Sequence, residues 1–182
     1  GVTETSSNLV YRDQSGALNE SFSDVMGTII VNWWKAPVRD DVATWDWRIG
    51  EGLGAGGGPL RDFADPASVG DPAHMDDYVH TRSDSGGVHT NSNIHNKAIH
   101  NLLTAAREDG SRVLSVSEAA LLTYLTLVQL TKQATFTDAL EKMCDIAKVF
   151  FSADQDRCDE VVAAVTRAYG DVGIHGRVSP WP

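Results

Sequence analysis

The sequence predicts a mainly α domain: about five helices in a bundle-like arrangement, with a long Gly/Pro-rich irregular insertion after the first. Three observations predict it. Leu18, Phe22, Val25, Met26, Ile29 and Ile30 recur at three- and four-residue steps, the spacing of a buried helix face. Ser115 with Glu118, and Thr135 with Asp138, stand as capping pairs ahead of apolar runs. Between these regions, residues 36–87 keep no helical period and are dense in glycine and proline.

A chain of 182 residues with 42% hydrophobic content is long enough for one sizeable core, so residues 1–182 are expected to form one domain. A net charge of -10 and a pI near 4.9 disfavour nucleic acid and anionic membrane surfaces as partners. No apolar run approaches the roughly 18 residues of a membrane span. The start, Gly1-Val2-Thr3-Glu4, carries no initiator methionine and no signal peptide, and reads as the middle of a longer precursor.

Residues 1–14 read as a loop with a short apolar knot, Leu9-Val10-Tyr11. The first helix is expected from Gly16 to Trp34, capped by Ser15 and stopped at Pro37. In the insertion, Trp45, Trp47, Ile49, Leu53, Leu60, Phe63, Val69 and Tyr78 argue for an ordered segment that wraps a surface and shapes a cleft. Residues 45–50 alternate as a short strand does. Ile94, Ala98, Ile99, Leu102 and Leu103 form a second helical stripe, closed by Gly110. Two helices follow the capping pairs, and Ser152 with Gln155 opens a last one that ends at Gly170. Cys144 and Cys158 are equidistant from the turn near Phe151, so antiparallel helices would bring them level; a bridge and two buried thiols both remain open.

The first helix carries the chemistry of most interest. Glu20 and Asp24 are four apart and lie one turn from each other on one face. Two adjacent carboxylates on a largely apolar helix repel each other and are costly to bury without a positive partner. A metal would serve; a solvated acidic face is the plainer alternative. A second cluster is Asp84-Ser85-Gly86-Gly87-Val88-His89. Its glycines let backbone pass close to a partner, and Asp84 folding back would fix the tautomer of His89. His95, His100 and His175 read as structural. His74, beside Asp71 and Asp76, is either a metal contact or a solvated loop residue. Arg61 either forks onto a carbonyl or carboxylate, or pairs at the surface with Asp62 or Asp65.

Four segments, in order, carry a resemblance: Gly1-Val2-Thr3-Glu4 through Leu9-Val10-Tyr11; Ser15-Gly16-Ala17-Leu18-Asn19-Glu20-Ser21-Phe22-Ser23-Asp24; Leu60-Arg61-Asp62-Phe63-Ala64-Asp65-Pro66; and Gly86-Gly87-Val88-His89-Thr90-Asn91-Ser92 with Asn96-Lys97-Ala98. Together they resemble the C-terminal helical domain of the thermolysin family of secreted zinc metalloendopeptidases. The resemblance implies that Glu20 is the third zinc ligand, with Asp24 and Asn19 orienting the two zinc histidines. Tyr11 and His89 match hydrogen-bond donors to the tetrahedral oxyanion, with Asp84 holding His89. Arg61 matches the residue that binds the substrate carbonyl just beyond the scissile bond, and Leu60 matches part of the apolar pocket beside it. The implied reaction is hydrolysis on the amino side of hydrophobic residues.

The family's His-Glu-x-x-His helix, which brings two zinc ligands and the water-activating glutamate, is expected directly before Gly1 and is absent from this sequence. The chain alone is therefore expected to bind zinc weakly and to be inactive. Val31-Asn32-Trp33-Trp34 replaces an acidic position of the calcium-binding relatives; Asp40 and Asp41 leave calcium open but disfavoured. The missing half should uncover apolar surface around Leu9, Val10, Leu60 and the tryptophans, with self-association of the isolated chain as the result. The competing reading is a non-catalytic helical module that keeps the peptidase scaffold for binding.

Overall fold

The structure, a computed structural model, describes residues 2–176. One helical turn, α1 (Val2–Thr5), stands where a loop was expected. Asn8 follows in the left-handed region at φ 49°, and Leu9 turns inward to 5% exposure. Val10 N–H donates to the Lys132 carbonyl at 2.8 Å, which ties this entry segment to a distant part of the sequence.

Helix α2 spans Asp13–Lys35, longer at both ends than expected. Ser15 is not its cap. It lies inside the first turn, where its hydroxyl donates to the Val10 carbonyl at 2.7 Å and to the Arg12 carbonyl at 2.9 Å. The stop is as expected: Ala36, the residue before Pro37, leaves the helix at ψ 138° because the proline ring excludes helical geometry there. Asn32, near the end of α2, exchanges two hydrogen bonds with the backbone of Asp46, at 2.8 and 2.9 Å. Its side chain thus holds the returning insertion as a strand neighbour would.

The insertion is ordered. Strand β1 (Arg48–Ile49) pairs antiparallel with β2 (Arg61–Asp62), with Ile49 opposite Arg61. Trp45 and Phe63 are buried, and Trp47 packs edge-on to His100 at 4.7 Å. Helix α3 spans Asp84–Thr104, α4 Val116–Gln129, α5 Phe136–Phe150 and α6 Gln155–Gly170. Both sequence-predicted capping boxes form, at Ser115–Glu118 and Thr135–Asp138. The cap of α6 is Asp154, which accepts from Arg157 N–H, rather than Ser152. Helix α3 ends at Thr104, before Gly110, because Ala105 takes an extended ψ of 127° and the chain enters a turn bridged between Ala106 and Arg112.

Helices α2 and α3 pack along each other, α3 also lies on α6, and α4–α5–α6 form successive hairpins. The core between them is continuous, from Leu18 and Phe22 through Ile94, Ile99 and Leu102 to Leu140, Met143 and Val165. Cys144 and Cys158 are both free and buried. Cys144 lies opposite Thr166 at 3.8 Å rather than opposite Cys158, so the helix register does not make the bridge. His175 and Gly176 have no regular structure, and the rest of the tail lies outside the described residues.

Candidate functional site

His89 is positioned by an unusual stretch of backbone. Asp84, Ser85, Gly86 and Gly87 all have positive φ, at 51°, 51°, 95° and 76°. Glycine adopts this region freely; for Asp84 and Ser85 it costs of order 1 kcal/mol each. The turn is held from two sides. Asn91, fully buried, donates to the carbonyls of Val79 at 3.0 Å and Gly86 at 3.3 Å and accepts from Val79 N–H at 2.9 Å. A Cβ on Gly86 would overlap the Asp13 carboxylate. The result returns Asp84 to His89. One carboxylate oxygen accepts the His89 backbone N–H at 2.9 Å, and the other meets ring Nδ1 at 2.5 Å. Burial alone would raise the Asp84 pKa, but the hydrogen bonds and charge of His89 outweigh it and leave the carboxyl below its ordinary range.

With Nδ1 so occupied, His89 Nε2 faces α2. It lies 3.1 Å from the Tyr11 hydroxyl and 3.4 Å from Glu20 Oε2. The Tyr11 hydroxyl donates to Glu20 Oε1 at 2.7 Å. Partial burial, then the hydrogen bond and charge of Glu20, raise the tyrosine pKa further above its already high value, so the phenol stays a donor.

Arg61 arrives on β2. Its side chain is 7% exposed, which removes the reading of a surface arginine paired with Asp62 or Asp65. Nε lies 3.1 Å from Asp24 Oδ2 as an ion pair without hydrogen-bond alignment, and Nη2 lies 3.9 Å from Glu20 Oε2. Nη2 also donates to the His89 carbonyl at 3.4 Å. The two carboxylates of α2 therefore share one buried guanidinium, which offsets their repulsion. Burial still raises the Asp24 pKa, with Arg61 and the Asn96 amide opposing it.

The structure brings Tyr11, Glu20, Asp24, Arg61, Asp84 and His89 together. Leu60 lies at the mouth, 44% exposed, next to Arg61. Asn19 faces elsewhere on α2 and lines an apolar groove of about 660 Å³ with Leu9, Phe22, Met26, Ile30 and Leu127. His74 does not approach the site. Its Nδ1 accepts from Asp76 N–H at 3.1 Å, and Asp71 pairs with Asn93 instead. No group of three or more His, Cys, Asp or Glu side chains that could hold a metal occurs among the described residues. Glu20, 23% exposed with both oxygens turned toward the cleft residues, fits as a single carboxylate ligand and no more. Sequence reasoning did not connect Ser21, His95 and Tyr169 with this cluster. Their contacts cross three helices, and no local pattern carries them.

Known proteins similar to this chain agree in family. The model of the thermolysin metallopeptidase α-helical domain matches residues 7–174. An extracellular elastase of Staphylococcus epidermidis is 39% identical over 177 residues, spanning 96% of this chain and 30% of the elastase. A bacillolysin of Bacillus cereus is 36% identical over 180 residues, again 96% of this chain and 30% of the relative. Among solved structures, the precursor of protealysin, a metalloproteinase from Serratia proteamaculans, superposes with a TM-score of 0.74 at 33% identity. That match covers 94% of this chain and 53% of the other. The chain thus spans about a third of the length of these curated relatives. With the helical architecture, the site cluster and the match over residues 7–174 agreeing, this chain belongs to the thermolysin metallopeptidase family, as its α-helical domain.

Proposed function

We propose that residues 1–182 form one domain that supplies half of the active site of a secreted zinc endopeptidase, which cleaves peptide bonds on the amino side of hydrophobic residues. The observation that carries this reading is the convergence of Tyr11, His89 and Arg61 on the exposed edge of Glu20. Secretion follows the extracellular elastase relative. Zinc, held by Glu20 with ligands from an upstream His-Glu-x-x-His helix, would polarise the scissile carbonyl and acidify a water.

The chain's own residues then do the following. Asp84 holds the His89 ring so that Nε2 faces the site. As imidazolium, His89 donates from Nδ1 to Asp84 and from Nε2 to the developing oxyanion. The Tyr11 hydroxyl, 3.1 Å from that nitrogen, supplies a second donor to the same position. Arg61, anchored by Asp24, binds the next substrate carbonyl, and Leu60 presents apolar surface to the side chain beside it. The groove lined by Leu9, Asn19, Phe22, Met26 and Ile30 is the seat for the upstream helix. Asn19 and Asp24 would orient its two histidines. Calcium has no role in this reading.

A non-catalytic binding module is disfavoured by the Arg61–Asp24 pair. Burying two charges costs solvation that apolar replacements would recover, and a binding role gives no reason to keep it. The test is direct. The gene upstream of Gly1 should encode His-Glu-x-x-His, and the protein containing both parts should cleave peptides before hydrophobic residues in a chelator-sensitive way. The 182-residue chain alone should not. Chelator-sensitive cleavage by the purified chain alone, or a degenerate upstream motif, sinks the proposal.

A further inference from the structure

Asp24 is the end of a longer line of buried polar groups. Its Oδ2 accepts from Asn96 Nδ2 at 3.0 Å. Asn96 Oδ1 accepts from the Ser21 hydroxyl at 2.7 Å. Ser21 Oγ lies 2.7 Å from His95 Nδ1, and His95 Nε2 lies 2.8 Å from the Tyr169 hydroxyl. Ser21, His95, Asn96 and Tyr169 are each 0% exposed. The line crosses from α6 through α3 to α2. The His95 ring is caged by Phe22, Phe136 and Tyr169, with centroids at 5.1, 6.1 and 5.4 Å.

The protons on this line have one consistent order. Burial pushes the His95 pKa down to about 3, so the ring is neutral, with one donor and one acceptor nitrogen. Asp24, beside the Arg61 guanidinium, is a carboxylate and only accepts. Asn96 must then present its NH₂ to Asp24 and its oxygen to Ser21. Ser21 spends its proton on Asn96, so it accepts from His95 Nδ1–H. His95 Nε2 is left bare and accepts the Tyr169 hydroxyl. Every donor points towards Asp24, and no polar atom on the line is left unpaired.

We propose that Ser21, His95, Asn96 and Tyr169 are positioning residues whose one-way hydrogen-bond chain fixes the Asp24 carboxylate for an incoming metal-binding imidazole. Among the described residues, Asn96 and Arg61 both hold Oδ2, which leaves Oδ1 to accept the partner imidazole N–H. A carboxylate fixed from behind orients that imidazole better than a mobile one, and such outer partners govern metal affinity and turnover. The inference rests on the reading of the site proposed above.

The test uses the peptidase that contains this chain. With ¹⁵N-histidine labelling, His95 at neutral pH should give the neutral Nδ1–H tautomer; an Nε2–H or charged ring overturns the proton order. His95→Phe fills the cage without either hydrogen bond. Folded variant should lose about tenfold in kcat with little change in KM, and release zinc about tenfold more readily to a competing chelator. His95→Gln, which can donate at one end and accept at the other, should restore part of both. A folded His95→Phe enzyme with unchanged kcat and zinc affinity overturns the positioning role. If His95→Phe does not fold, Tyr169→Phe, which removes only the outermost donor, should show the same two losses at smaller size, and neither loss overturns the proposal. Absence of chelator-sensitive activity in the wild-type protein would instead remove the reading of the site, while the tautomer measurement still stands on its own.

Discussion

Asp84 binds His89 twice, through the backbone N–H and through the ring. Replacing it with Asn would remove the carboxylate charge that balances the imidazolium and leave His89 a neutral donor at Nε2. In the peptidase, His89→Ala should lower kcat by about 10²–10³ with a much smaller effect on KM, as loss of an oxyanion donor does, and Asp84→Asn should lower kcat less, because the donor survives without its charge. A change confined to KM would place His89 in substrate binding instead. A second residue prediction concerns Asp71, whose Oδ2 accepts from Asn93 at 2.9 Å. Burial raises its pKa from 3.8 to about 6, with Arg61 opposing. The folded chain thus holds this proton more tightly than the unfolded one. The stability it lends is complete below about pH 4 and is lost as pH rises through about 6. Asp71→Asn should flatten that decline in thermal melts taken between those values; an unaltered slope would show that Asp71 does not set it. At this scale the sequence left Arg61 undecided, because the two-residue pairing that carries it inward has no periodic signature. It read His95 as structural, which fits its burial, but could not supply partners 74 positions away in both directions.

Helices are where local rules spoke most clearly. Ser115 and Thr135 each cap a helix with the acid three residues on, because that pairing needs only adjacent backbone. Ser115→Ala should cost about 1 kcal/mol in chemical denaturation, and a cost near zero would mean that water replaces the cap. Ser152 failed as a cap because the turn after α5 continues to Asp154, whose carboxylate meets Arg157 N–H at 3.1 Å. The start of α2 was misread for a different reason: Gly16 serves packing. A Cβ there would stand 2.5 Å from Val88 Cγ1 and 3.0 Å from the Tyr11 carbonyl carbon. Gly16→Ala should therefore push α2 from α3, cost about 1–3 kcal/mol, and lower kcat by moving Tyr11 relative to His89. Full activity with an unchanged melting temperature would show that the helices have slack there.

On the whole molecule, only part of the apolar set expected to be bare is exposed. Leu9 and Trp45 are buried, while Val10, Leu60, Ile30 and Trp34 are exposed, and Trp181 lies outside the described residues. The isolated chain should associate with rising concentration in light scattering; a monodisperse monomer at high concentration counts against this. The line from Tyr169 to Asp24 also has a consequence in time. Each of its joints between α2 and α3 or between α3 and α6 closes a loop of more than 70 residues, whereas α4, α5 and α6 meet their sequence neighbours. Long closures are slow because chain entropy is surrendered before contacts repay it. During refolding, pulsed hydrogen exchange should protect α4–α6 amides first and those of α2 last, so that the candidate cleft is the final part of the domain to exist.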